Sequence, residues 1–261
     1  GAAQTLNDAR QRSPRDARLF MLAALMAEKS GNLNGAFDAM QRCVTMAPEW
    51  GPGLLEQALL YARHDHDNEA MAAAEKVIAL EPNNPHVIAG VIDIAHRVGN
   101  IEMAIRHLQR VLELTPGDRT LRRHLAVDLG HIHKWDEALA VFESLINEQP
   151  GDHLARIARV QMLQARGTMQ DALPDTEALL ALKADDKVYQ YYHQLAKGEV
   201  PAHVPVELTT RMFDDMAGTY DKHMVRALGY RLPKLAADQL LEIFPDRRFN
   251  LLDLGCGTGL L

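Results

Sequence analysis

The sequence predicts an all-α stack of helix-turn-helix pairs, with the opening of an α/β unit at its C-terminal end. Three observations predict it. Pro14, Pro48, Pro82, Pro116 and Pro150 recur every 34 residues, and Ala2, Ala36, Ala70, Ala104 and Ala138 keep step with them. Apolar residues make up 47% of the 261 residues, charged residues 24% and aromatics only 5%, a globular composition that favours helix packed on helix. Finally, the stretch 249–261 runs from an apolar segment through an acidic residue into three alternating glycines and a second apolar segment. That order reads as a buried strand, a tight glycine turn and the start of a helix.

Residues 1–16 read as a half repeat, with a second helix over 2–13, so the chain is expected to begin in mid-repeat. Five full repeats follow at 17–50, 51–84, 85–118, 119–152 and 153–186, although Ala184 stands where the last proline belongs. A capping helix occupies 187–198. Within each repeat the alanine marks the closest crossing of two helices, where only a small side chain fits. Ala24, Ala58, Ala126 and Val160 are expected to face it from the first helix, and Ile92 departs from the rule. Each proline lacks an N–H, ends the second helix and sets the turn into the next repeat. Gly31, Gly99 and Gly167 fall in the turn between the two helices, where glycine relieves backbone strain.

This 34-residue period, with its small residue and closing proline, resembles the tetratricopeptide repeat. The resemblance covers about residues 1–198 and implies a right-handed superhelix whose first helices line a concave groove. Projecting the pattern places Met21, Leu25, Leu55, Leu59 and Ala89 towards the groove at one end. Asp93, His96, Arg97, Arg123, Val127, His131, Ile157 and Gln161 follow, with Arg63 near the rim. An apolar half followed by a basic half suits an extended peptide or an acidic segment of a protein partner. The alternative is that many of these side chains only pack between repeats.

The segment 199–205, with Pro201 and Pro205, reads as a linker. After it, residues 206–261 begin a second domain. Phe213-Asp214-Asp215-Met216-Ala217-Gly218-Thr219-Tyr220-Asp221 resembles a segment that precedes the core of many small-molecule methyltransferases. A helix is expected over Arg231–Phe244, with Leu232, Leu235, Ala236, Leu240, Ile243 and Phe244 on one apolar face, and a strand over 248–254. The string Asp253-Leu254-Gly255-Cys256-Gly257-Thr258-Gly259 resembles motif I of class I S-adenosylmethionine-dependent methyltransferases. Leu260 occupies the place of the third glycine in the dinucleotide fingerprint. The resemblance implies that Asp253, Gly255, Cys256, Gly257 and Gly259 bind S-adenosylmethionine in a Rossmann-like domain, with Tyr220 closing over it. The chain stops two residues past the motif, so this fragment is expected to be inactive, and its exposed tail could pair two copies as a homodimer.

The remaining features exclude more than they suggest. The net charge of −7 argues against general nucleic-acid binding. The longest apolar run, Leu19 to Ala27, is too short to span a bilayer. Cys43 and Cys256 lie far apart, which disfavours a disulfide framework and points to a reducing, cytoplasmic compartment. His64-Asp65-His66-Asp67 and His131-Ile132-His133 fall in turns and lack the further ligands of a zinc site, so no metal is expected. No catalytic residue is assigned. Two functions are weighed: a methyltransferase with a recruiting repeat module, favoured on the intact motif I, and a repeat scaffold for protein interaction whose methyltransferase domain is degenerate or non-catalytic.

Overall fold

The computed structural model describes residues 1–216, 220, 224, 229–248, 250 and 252. The chain divides into two compact units, Gly1–Glu199 and Val200–Leu261.

The first unit is helical throughout its regular elements. A lone helix, α1 (Ala2–Arg12), precedes five pairs. These are α2 (Ala17–Lys29) with α3 (Leu33–Met46), α4 (Gly51–Arg63) with α5 (Asp67–Leu80), and α6 (Pro85–Val98) with α7 (Ile101–Leu114). Next come α8 (Arg119–His131) with α9 (Trp135–Glu148), and α10 (His153–Arg166) with α11 (Leu173–Leu182). In the last pair a short 3-10 turn, Met169–Ala172, leads into α11, whose Pro174 stands in the first turn where its missing N–H leaves no bond unmade. The helix α12 (Lys187–Ala196) closes the unit.

Local chemistry sets these boundaries at fixed register. Asp16, Asn84, Asp118, Asp152 and Asp186 each cap a first helix, the side-chain oxygen accepting from a backbone N–H of the first turn. Trp50 takes that place before α4, where Pro52 enters the first turn instead. The second helices α3, α5, α7 and α9 end at Ala47, Glu81, Thr115 and Gln149, each just before a proline of the period, because the residue before proline is pushed out of helical geometry.

The turn between paired helices is built the same way five times. Gly31, Gly99 and Gly167 adopt φ of 80°, 75° and 85°, and Asp65 and His133 adopt 61° at the equivalent places. The next residue's N–H then donates back to a carbonyl five residues earlier: Asn32 to Ala27, His66 to Tyr61, Asn100 to Ala95, Lys134 to Leu129 and Thr168 to Leu163, at 2.8–3.0 Å.

Packing follows the small residues. Ala24, Ala36, Ala58, Ala70, Ala104, Ala126, Ala138, Val160 and Ala172 are all 0% exposed. The apolar core forms three clusters. One joins α2, α3 and α4 around Met40, Cys43 and Leu60. The largest runs from Val44 to Val111. The third runs from Ile105 to Met162. The helix α7 supplies buried residues to both of the latter two, Met103, Ala104 and Val111 to one and Ile105 to the other, and Leu121 of α8 packs against the first while Ala126 and Leu129 belong to the second.

First helices also pack on one another, α2 on α4, α4 on α6 and α8 on α10, while second helices pack on the first helices of their own and the following pair. In such a stack the first helices form the inner, concave face. The contact between α6 and α8 is looser than that between α4 and α6.

The second unit contains α13 (Val206–Met216) and α14 (Leu232–Ile243). Of the apolar face expected over Arg231–Phe244, Leu232, Leu235, Ile243 and Phe244 are exposed, and Ala236 and Leu240 are half-buried. The strand expected over 248–254 falls on residues of which only 248, 250 and 252 are described.

Candidate functional site

The face formed by the first helices is the candidate site, and the structure sorts the residues projected onto it into three groups. Met21, Leu25 and Leu59 are half-buried and Ala89 is exposed, leaving an apolar surface on α2, α4 and α6. Leu55 is corrected: it is 3% exposed and belongs to the core. A β-carbon added at Gly90 would meet its Cδ1 at 2.7 Å, so Leu55 fills the space between α4 and α6 that the absent side chain leaves.

The cationic residues are not a bare basic surface. Arg63 Nε lies 2.7 Å from Glu28 Oε1, and its Nη2 donates to Glu28 at 2.8 Å and to Glu56 at 2.7 Å. His64 reaches the same Glu28 oxygen at 2.8 Å. Arg63 and then His64 hold the Glu28 carboxyl below the ordinary carboxylate range, against the opposing effect of burial. Arg97 donates to Asp93 at 2.9 Å, one turn back on α6. Gln161 donates to the Tyr192 hydroxyl at 3.3 Å.

His96 of α6 crosses to α8, its Nε2 2.8 Å from Asp128 Oδ2, while His131 Nδ1 stands 3.7 Å from Oδ1 of the same carboxylate. Asp128 is 4% exposed. Burial alone would raise its carboxyl, but His131 and the hydrogen bond from His96 outweigh that and hold it below its ordinary value. The hydrogen bond to Asp128 in turn raises His96, more than burial lowers it.

Charge is distributed unevenly along the face. Arg119, Arg122, Arg123, Arg156, Arg159 and Arg166 lie on α8 and α10, whose only carboxylate is Asp128. Their partners come from the second helices and caps. Arg122 forks onto Glu148 at 2.8 Å, Arg119 reaches Glu148 and the capping Asp152, and Arg156 and Arg159 grip Asp175 of α11 at 2.8 and 2.7 Å. Asp175 is 0% exposed. Sequence reasoning missed this triad, since a lone Asp on a second helix gives no sign of two arginines turned towards it.

Among the described residues no group of His, Cys, Asp and Glu could hold a metal ion. The two histidine-rich segments are accounted for by the turns, with His66 edge-on to Phe37 at 4.9 Å and His133 beside Trp135 at 5.2 Å. Of the cofactor residues, Tyr220 is described, its ring 6.5 Å from that of Phe213. Asp253, Gly255, Cys256, Gly257 and Gly259 lie outside the described residues.

The arrangement defines a class by its fold, the tetratricopeptide-repeat superhelix. The chain is similar to YrrB, described as a TPR protein with an unusual peptide-binding site, at 18% identity and a TM-score of 0.54 over 74% of this chain and 97% of that one. It is similar to MamA at 19% identity and a TM-score of 0.52, over 72% and 98% of the two chains. No family model matches the chain. Among curated proteins, the cytochrome c-type biogenesis protein CycH of Rhizobium meliloti (strain 1021) is 29% identical over 134 residues, 50% of this chain and 35% of that protein. The aspartyl/asparaginyl beta-hydroxylase of Mus musculus is 23% identical over 165 residues, 58% of this chain and 22% of that protein. The chain thus spans about a third of the first relative's length and about a fifth of the second's.

These comparisons overturn the expected enzyme. The similarity to YrrB, MamA and CycH is to repeat proteins and not to a methyltransferase. Motif I resembles the methyltransferase loop over only seven residues, 253–259, too short a string to outweigh a repeat pattern that runs through some two hundred. Among the described residues no helix is long and apolar enough to cross a membrane.

Proposed function

We propose that the chain is a protein-interaction scaffold whose first-helix face receives an extended segment of a partner, apolar against α2 and α4 and acidic against α8 and α10. The observation that carries this reading is the uneven charge of the face. Six arginines and one carboxylate stand on α8 and α10, within a chain whose net charge is −7. Part of that charge is neutralised within the chain, Arg119 and Arg122 by Glu148 and Arg156 and Arg159 by Asp175, and the excess of positive charge on the two helices favours a partner's carboxylates. YrrB, on the same fold, is described as having a peptide-binding site, and peptide binding is carried over from it in this reading. The apolar end supplies contact area and the cationic end supplies register and orientation.

Fluorescence anisotropy with two labelled peptides tests it, one alternating glutamate with leucine and one alternating lysine with leucine. The acidic peptide binds and the basic one does not, and Arg123→Glu weakens the acidic peptide about tenfold, an effect that shrinks as salt is raised. Equal affinity for both peptides sinks the reading.

A further inference from the structure

The geometry points to a proton-operated gate at the seam between α6 and α8, where the pair of His96 and Asp128 decides whether the floor of the face repels or accepts an acidic segment. The inference rests on the scaffold reading above and names its regulation.

Three features meet at this seam. The two large apolar clusters change over here, with α7 and α8 contributing to both. The first helices α6 and α8 approach each other less closely than their neighbours do, and the hydrogen bond from His96 to Asp128 links them. The linking carboxylate is 4% exposed, yet both groups facing it are histidines, the one side chain whose ordinary titration falls near neutrality. An arginine at either position would fix the charge. The histidine at 96 leaves it adjustable.

The charges acting on His96 are few. Asp128 of α8 acts directly, and Asp93 acts from its own helix, where it also accepts from Arg97. Arg63 of α4, the helix packed on the other side of α6, is held by Glu28 and Glu56. From α5 and α7, which also pack on α6, Val77, Met103 and Ala104 present apolar surface to it. Protonated His96 therefore balances the charge of Asp128, and neutral His96 leaves that charge unbalanced by the ring, beside the helix that carries Arg119, Arg122 and Arg123. His96 still donates its hydrogen bond when neutral, but a charge-assisted bond is about twice as strong.

The direction follows from the sign of the shift. Asp128 raises His96, so the charged ring persists to higher pH than in an ordinary histidine. Affinity for an acidic segment is full below the ordinary histidine range and falls as pH rises through the raised value. One charge changing at the edge of a solvated surface alters affinity for a nearby carboxylate about three- to tenfold.

The test uses a rhodamine-labelled peptide alternating glutamate with leucine, and its glutamine-for-glutamate counterpart, from about pH 5.5 to 8.5 at constant salt. The wild-type chain loses about three- to tenfold in affinity for the acidic peptide over that range and no affinity for the neutral one. His96→Gln keeps a donor for Asp128 but cannot titrate, and its affinity is flat. A decline that survives in His96→Gln, or binding that ignores pH in the wild type, overturns the gate and leaves the scaffold standing. Silence from both peptides at every pH overturns the scaffold and the gate together. Should His96→Gln fail to fold, the ring titration of His96 by NMR decides instead. The acidic peptide shifts that titration upward if the gate operates, since linkage is reciprocal, and leaves it unmoved if it does not.

Discussion

Removing the carboxylate of Asp175 tests how the last full repeat is held together. Asp175 is 0% exposed and takes Arg156 Nη1 at 2.8 Å on one oxygen and Arg159 Nε at 2.7 Å on the other. Arg156 donates a further bond to the Pro150 carbonyl at 3.0 Å. In Asp175→Ala two largely buried guanidinium groups lose their shared counter-charge, and breaking such a buried pair costs about 3–5 kcal/mol. In a stacked array each repeat leans mainly on its neighbours. The loss therefore appears as an early transition of α10, α11 and α12, not as a uniform shift of the whole unit. A loss of about 3 kcal/mol lowers the midpoint of that transition by about 6–12 °C.

Circular dichroism melting with hydrogen exchange on α10–α12 reads both features. The repeat register supplies the control. Positions 156 and 159 correspond to Ile88 and Val91 of the third repeat, and position 175 to Ala73 of the second, all buried and apolar. The triple exchange Arg156→Ile, Arg159→Val and Asp175→Ala removes charge and counter-charge together and restores most of the loss, because a buried ion triad adds little over apolar packing. A single variant that costs under about 1 kcal/mol, or a triple variant as unstable as the single, refutes the argument that uncompensated burial is the cause.

Two further substitutions probe the packing and the turns. Gly90→Ala drives a methyl group to within 2.7 Å of Leu55, which costs about 1–3 kcal/mol by overpacking; adding Leu55→Ala returns part of it, and a double-mutant cycle in urea measures the coupling. Asp65→Gly and His133→Gly relieve the left-handed φ of 61° at each position and raise stability by about 0.5–1 kcal/mol in thermal melts.

The helical unit was legible because its rules are local and repeat. Proline closes a helix wherever it stands, and a small residue at a crossing needs no knowledge of the rest of the chain. Asp65 and His133 were not legible as left-handed residues, since neither type announces that geometry, although their place 34 residues from a turn glycine would have found them. The face was less readable. Helical projection puts Leu55 and Leu59 on the same side, and only the absence of a side chain at Gly90, on the next first helix, draws Leu55 into the core. Ion pairs were the hardest part. Glu28 meets Arg63 and His64 across 35 and 36 residues, and His96 meets Asp128 across 32. These separations lie close to the period itself, a hint that charged residues about one repeat apart be read as pairs. The methyltransferase reading failed for the opposite reason, because it drew on two short strings, 213–221, which also reads as a plain amphipathic helix, and 253–259, whose glycines say only that the backbone turns tightly.

The five inter-helix turns are closed by a bond between main-chain atoms, from Asn32, His66, Asn100, Lys134 and Thr168 back to carbonyls five residues earlier. Any amino acid with an N–H can write that bond, so the joint places almost no spelling requirement on the residues that form it. Histidine, asparagine, lysine and threonine have all been set there without altering the angle at which one helix hands over to the next. The histidine-rich lettering of two of these turns is for the same reason uninformative about ligands: it is free text over a hinge that the backbone alone defines, and substitutions can accumulate there while the spacing of the stack stays the same.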